Sequence, residues 1–142
     1  MRISFLDAST LGADIDLSLF EKFGELNVYQ TTTPESFLEH AAECEIIITN
    51  KQKLGRHNLV DCPKVKLICV TATGYDNIDV AYCREKGIAV CNVVGYSTES
   101  VAQLTVALVL ELTNHLGQYR EYVHSGAWYI RRAAAGNYTK SE

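Results

Sequence analysis

Over the first 96 residues the apolar positions come in short runs separated by polar, turn-forming stretches; after that they merge into one long block. Ile3, Phe5 and Leu6 mark a first strand over Arg2 to Asp7. Asp16 to Phe23 has the spacing of a short amphipathic helix closed by Gly24, and Leu26 to Tyr29 reads as a second strand. Thr33-Pro34-Glu35-Ser36 predicts a helix start, with a threonine cap, proline in the first turn and an acid just after. Phe37, Leu38, Ala41 and Ala42 then supply its apolar face. Ile46-Ile47-Ile48-Thr49 is continuous rather than alternating, as in a strand covered on both faces. Gly55 to Cys62 has room for one or two helical turns before Pro63. Val65 to Ala72 is a fourth strand, Asn77 to Lys86 a helix ended by Gly87, and Ile88 to Asn92 a fifth strand.

Strands alternating with short helices predict an α/β fold with a parallel sheet covered on both sides. The expected topology is a doubly wound, flavodoxin-like sheet, whose ligands sit at the carboxyl ends of the strands. The last third is different. Ser97 or Thr98 is placed to cap a helix with Glu99 in its first turn. Running unbroken to His124 it would cover about 28 residues and about 42 Å. Between Val101 and Leu112 it is apolar nearly all round, which predicts burial on more than one side. Gly117 is its expected weak point, with a break near Asn114 to Gly117 expected if the chain is a monomer, and Arg131 to Glu142, small and polar, reads as a loop or frayed tail. The implied layout is a lobe over 1–96, a long connecting helix over 97–125 and a linker or tail over 126–142.

Composition removes some function classes. The net charge of -4 argues against a nucleic-acid surface, which needs a basic patch. The Val101 to Leu112 block contains Gln103, Thr105 and Glu111 and is too short and too polar to span a bilayer. Met1 to Phe5 leads straight into a strand, without the pattern of a signal peptide. The five cysteines (Cys44, Cys62, Cys69, Cys83 and Cys91) include no C-x-x-C pair. That count and scatter point to a reducing cytoplasm rather than to a zinc site or disulfide framework.

The candidate chemistry gathers at strand ends. Thr71-Ala72-Thr73-Gly74 lies where the fourth strand leaves the sheet, and Gly74 would let the chain turn sharply and present backbone N–H groups to a carboxylate. On residue chemistry alone a plain strand-to-helix turn, with Asp76 or Asn77 capping the next helix, is the better reading. Asn50 and Lys51 follow the third strand and Tyr96 the fifth, so three strand ends converge on one crevice. His40, His57, His115 and His124 read as surface or satisfied histidines, and Arg120, Arg131 and Arg132 as surface charge. The nine glycines include no G-x-G, so no phosphate-cradling turn is present.

Three segments carry a resemblance: Gly74-x-Asp76-Asn77-Ile78-Asp79, Ser97-Thr98-x-Ser100-Val101-Ala102-Gln103, and Gly126-x-Trp128. They resemble the first-lobe motif, the start of the inter-lobe helix and the segment before the coenzyme domain of the D-isomer-specific 2-hydroxyacid dehydrogenases. Tyr96-Ser97-Thr98-Glu99-Ser100, with Gln103, is most similar to the glycerate dehydrogenase (hydroxypyruvate reductase) branch. The resemblance implies hydride transfer between NAD(H) and a small 2-hydroxy or 2-keto acid. It implies that Asn50, Ala72, Thr73, Gly74 and Tyr96 bind substrate and that Thr73 also lies against the nicotinamide. It further implies that the cofactor loop and the catalytic Arg, acid and His follow Glu142, so that this chain binds NAD weakly and is inactive alone. A homodimer through the 97–125 helix is expected, since that helix needs cover. The alternative is a non-catalytic flavodoxin-like binding or dimerisation module. A receiver domain is disfavoured: Thr49-Asn50 stands where its acceptor Asp would, and Val93-Val94-Gly95 where its Lys would.

Overall fold

The computed structural model describes residues 1–12 and 14–134, and the chain separates into two compact units, Met1–Tyr96 and a second beginning at Ser97. The first unit is built on five parallel strands: β1 (Arg2–Phe5), β2 (Glu25–Val28), β3 (Ile46–Thr49), β4 (Leu67–Val70) and β5 (Ala89–Asn92). Their order is β2-β1-β3-β4-β5, the flavodoxin-like order expected. Three helices connect the later strands: α1 (Phe37–Ala41), α2 (Arg56–Leu59) and α3 (Val80–Lys86).

Right-handed crossovers explain how the two faces are covered. The chain steps one way from β1 to β2 and the other way through β3, β4 and β5, so the first connection and the other three lie on opposite faces. The α1–α3 face carries the larger core, with Leu6, Phe37, Ile47, Ile68 and Tyr82 buried. The opposite face carries a smaller core of Ile3, Phe5, Ala8 and Ile48, with Leu17 and Phe20 from the β1–β2 connection packed on it. Fully burying a side chain such as Phe5 or Ile47, both 0% exposed, contributes roughly 1.5–3 kcal/mol. The expectation of a sheet covered on both sides is corrected at β5, where Ala89 and Cys91 are exposed. Within the described residues of the first unit, the β1–β2 connection alone serves that face.

Local expectations hold in part. Gly87 takes the left-handed C-cap of α3, with φ +71°. Asp79, rather than Asp76 or Asn77, caps α3 by accepting from the Tyr82 N–H at 2.9 Å. Ser18–Phe23 is a 3-10 helix instead of an α-helix; its entry is set by the Asp16 carboxylate accepting from the Ser18 N–H at 2.9 Å. Thr33 accepts from the Ser36 N–H and Ser36 Oγ from the Thr33 N–H in the turn before α1, the cap expected of Thr33, although α1 itself begins a turn later with Ser36 at its N-cap position.

Gly24 is held by both conformation and space. Its φ is +154°, and a Cβ there would stand 2.1 Å from the Met1 carbonyl oxygen, beside the Glu25 N–H bond to that oxygen. Gly24→Ala is expected to destabilise the first unit by about 2–4 kcal/mol, read as a lowered urea midpoint. An unchanged midpoint would show that the β1–β2 edge yields freely.

In the second unit the single long helix is corrected to two. α4 (Thr98–Asn114) and α5 (Leu116–His124) meet at His115, whose φ is +52°. The break falls two residues before Gly117, whose N–H is taken by the Glu111 carboxylate at 2.9 Å. Ser97 holds the N-cap position of α4 without a side-chain cap bond. α6 (Ala127–Ala134) replaces the start of the expected tail, so Arg131 and Arg132 are helical; the rest of that tail lies outside the described residues. Tyr122 and Trp128 meet edge to face at 6.3 Å between centroids. The apolar side chains of α4 are not buried within one chain: Leu104 is 61% exposed and Leu112 74%. No helix among the described residues is long and apolar enough to cross a membrane.

Candidate active site

The order reversal between β1 and β3 opens the carboxyl edge of the sheet, and the residue standing there is Asp7. It is 4% exposed, and its carboxylate accepts from the Thr49 hydroxyl at 3.0 Å. It also accepts from the backbone N–H groups of Asn50 (2.9 Å), Lys51 (2.6 Å) and Gln52 (3.3 Å). One buried carboxylate thereby fixes the whole loop that follows β3. Such charge-assisted bonds are the strong class. The sequence reading passed over Asp7; its signal was an acid directly after an apolar strand, which must find donors once buried.

That loop is tied on its other sides as well. Gln52 Nε2 donates to the Thr32 carbonyl at 2.7 Å, and the buried Thr32 hydroxyl donates to the Leu6 carbonyl at 2.6 Å. Asn77 Nδ2 donates to the Gln52 carbonyl at 2.8 Å and to the Asn50 carbonyl at 3.4 Å. Asn50 is thus positioned through its backbone. Its side-chain Oδ1 is buried and accepts no hydrogen bond.

The ends of β4 and β5 are bonded to each other. The Val93 N–H donates to the Ala72 carbonyl at 3.0 Å, Asn92 Nδ2 to the Thr73 carbonyl at 2.7 Å, and the Thr73 hydroxyl to the Val93 carbonyl at 3.0 Å. The Thr71 N–H in turn reaches the Thr49 carbonyl at 2.9 Å. Asn50, the Thr71–Gly74 turn and Tyr96 therefore follow the carboxyl ends of three adjacent strands, β3, β4 and β5, on one rim. Ala72 is half-buried against the larger core, whereas Thr73, Gly74 and Tyr96 are exposed.

Gly74 departs from expectation. Its φ lies outside the left-handed range, and a Cβ there would meet only the Asp76 carboxylate, at 3.8 Å. The turn itself does not need a glycine.

Other polar features are already matched. A cleft of about 580 Å³ at the opposite, amino end of the strands is lined by Arg2, Lys64 and Lys66 among others. Each of these cations pairs with a glutamate: Arg2 with Glu25, Lys64 with Glu43 and Lys66 with Glu45. It is a neutralised surface rather than an anion site. His40 stacks on Tyr29 at 3.6 Å and bonds the Thr32 hydroxyl at 2.9 Å, a satisfied histidine. Among the described residues no cluster of three or more His, Cys, Asp or Glu could hold a metal ion.

A parallel sheet of this order is shared by unrelated doubly wound proteins, so similarity to known proteins decides the family. The chain belongs to the D-isomer specific 2-hydroxyacid dehydrogenase family, matching the model of its catalytic domain over residues 5–141. Hydroxypyruvate reductase from Blautia hydrogenotrophica is 37% identical over 132 residues, 90% of this chain and 41% of that protein. Glycerate dehydrogenase from Methylorubrum extorquens is 33% identical over 128 residues, 89% of this chain and 40% of that protein. D-lactate dehydrogenase from Aquifex aeolicus, solved with NAD and lactic acid, superposes with a TM-score of 0.67 and 28% identity. That match covers 100% of this chain and 39% of the lactate dehydrogenase. The chain spans about two-fifths of the length of the relatives it matches.

Proposed function

We propose that Met1–Tyr96 is the substrate-binding lobe of an NAD(H)-linked oxidoreductase acting on a small D-2-hydroxy acid or 2-keto acid of the glycerate/hydroxypyruvate kind. The observation that carries this reading is the meeting of three strand ends on one rim, with the Thr73–Gly74 main chain exposed at its centre. Backbone N–H groups of Thr73 and Gly74 hold the substrate carboxylate, and Ala72 closes the turn beneath them. Tyr96 lines the pocket from β5. Asn50 borders it just after β3, held there through its backbone N–H by the Asp7 carboxylate. The relatives named hydroxypyruvate reductase and glycerate dehydrogenase support a three-carbon hydroxylated acid over a simple one.

The residues of this chain do not fit a whole dinucleotide. No two of the nine glycines have the G-x-G spacing of a phosphate-cradling turn, and Thr73 is the one residue assigned to the nicotinamide. When bound, NAD(H) supplies the hydride chemistry. This chain's part is to bind and orient the acid. Its five free thiols suit a reducing cytoplasm.

Titration calorimetry on the chain is expected to give hydroxypyruvate affinity in the millimolar range, about -4 kcal/mol. 1,2-Propanediol, which lacks the carboxylate, is expected to give none, and NADH absorbance should stay constant with hydroxypyruvate present. Equal heats from both compounds, or NADH consumption, would contradict the reading.

The 97–125 segment is assigned to a homodimer. Its exposed Val101, Leu104, Leu108 and Leu112 leave an apolar helix surface uncovered in a single chain. Light scattering should report a dimer that Leu108→Asp converts to monomer. A monomer at high concentration without the substitution would refute it.

A further inference from the structure

Away from the rim, the reactive side chains are the five free thiols, and they fall into two groups. Cys44, Cys62 and Cys83 are buried in the larger core, where loss of solvent pushes the first two up to about 11. Cys69 and Cys91 lie elsewhere and are register partners on β4 and β5. Partners on neighbouring strands point to the same face, about 4.8 Å apart along the hydrogen-bonding direction. Disulfides join Cα atoms roughly 4.4–6.8 Å apart. Cys91 is exposed and Cys69 half-buried, so an oxidant reaches one thiol and the second stands behind it. Burial raises the Cys69 thiol above its ordinary range, and the neighbouring Cys91 adds to this.

We propose that Cys69 and Cys91 form an oxidisable dithiol, a modification site at which a hydroperoxide converts two thiols into one disulfide across β4 and β5. The exposed Cys91 thiolate attacks the peroxide. An S–O bond forms, the O–O bond breaks, and the leaving hydroxide departs as water by taking up the proton that the Cys91 thiol gave to solvent, leaving a sulfenic acid. Cys69 sulfur then attacks Cys91 sulfur. The S–S bond forms, the S–O bond breaks, and the hydroxyl leaves as a second water with the proton Cys69 gives up. The dithiol loses two electrons and the peroxide gains them. The bond would sit two residues before Thr71 and Val93, next to the bonds that join the two strand ends at Ala72 and Thr73. The pair's chemistry is independent of what the rim binds.

The test exposes the full chain to hydrogen peroxide, removes the oxidant, and alkylates with N-ethylmaleimide in denaturant before mass spectrometry. The expected product takes up two fewer maleimides than untreated protein and yields one peptide pair linking Cys69 to Cys91. Cys69→Ser and Cys91→Ser are each expected to form no internal disulfide. Undiminished maleimide uptake, a Cys44–Cys62 link, a link between two chains through Cys91, or a sulfinic acid at Cys91 with Cys69 still free would each overturn the proposal. The wild-type peptide map decides the matter even if a serine variant misfolds.

Discussion

Asp7→Ala is expected to cost the first unit about 3 kcal/mol, because the Thr49 hydroxyl and the Asn50 and Lys51 N–H groups lose their acceptor at once, while the Gln52 N–H keeps the Thr49 oxygen. Small domains are stable by roughly 5–15 kcal/mol, so this change removes a large fraction of the total. Asp7→Asn keeps one oxygen acceptor but brings an N–H₂ among donors, and should fall between wild type and alanine. Thr49→Val removes a hydroxyl that donates to Asp7 and accepts from the Gln52 N–H, and should cost about 1–2 kcal/mol. Urea unfolding followed by circular dichroism orders the three. If Asp7→Ala unfolds at the same midpoint as wild type, the loop after β3 is not held by this carboxylate, and the placement of Asn50 loses its explanation.

Gly74→Val is expected to do the reverse. The backbone there lies outside the left-handed region and the Cβ direction is open, so stability should change by no more than about 1 kcal/mol. A branched side chain beside the Thr73 and Gly74 amides should nonetheless weaken hydroxypyruvate binding about tenfold or more, equivalent to about 1.4 kcal/mol. Calorimetry on a variant with unchanged urea midpoint makes the comparison. Intact affinity in Gly74→Val would mean that the carboxylate is held elsewhere.

What the sequence revealed depended on how far each determinant reached along the chain. Ile46 to Thr49 was legible because a continuous apolar run needs no partner to be recognised, and Gly87 because a helix stop is a local event. Asp7 was not, since its donors lie 42 to 45 residues away and none has a distinctive side chain except Thr49. The 3-10 geometry at Ser18–Phe23 escaped for a related reason, and the helix break, expected within Asn114 to Gly117 only for a monomer, could not be fixed at His115. Both turn on single backbone choices that the apolar spacing leaves open. At the rim, Asn50, Thr73 and Tyr96 could be grouped once the strand order was assumed. The bonds linking Thr73 to Asn92 and Val93 became visible only in the structure.

The most direct test of the account is amide resonance mapping of the ¹⁵N-labelled chain during titration with hydroxypyruvate. The largest saturable shifts are predicted at the Thr73 and Gly74 amides, with smaller ones at Asn50 and Tyr96 and none around Arg2 and Lys66 at the other end of the strands. Shifts confined to that amino-terminal cleft, or Thr73 and Gly74 amides unmoved at saturation, would contradict a carboxylate held by the main chain at this rim.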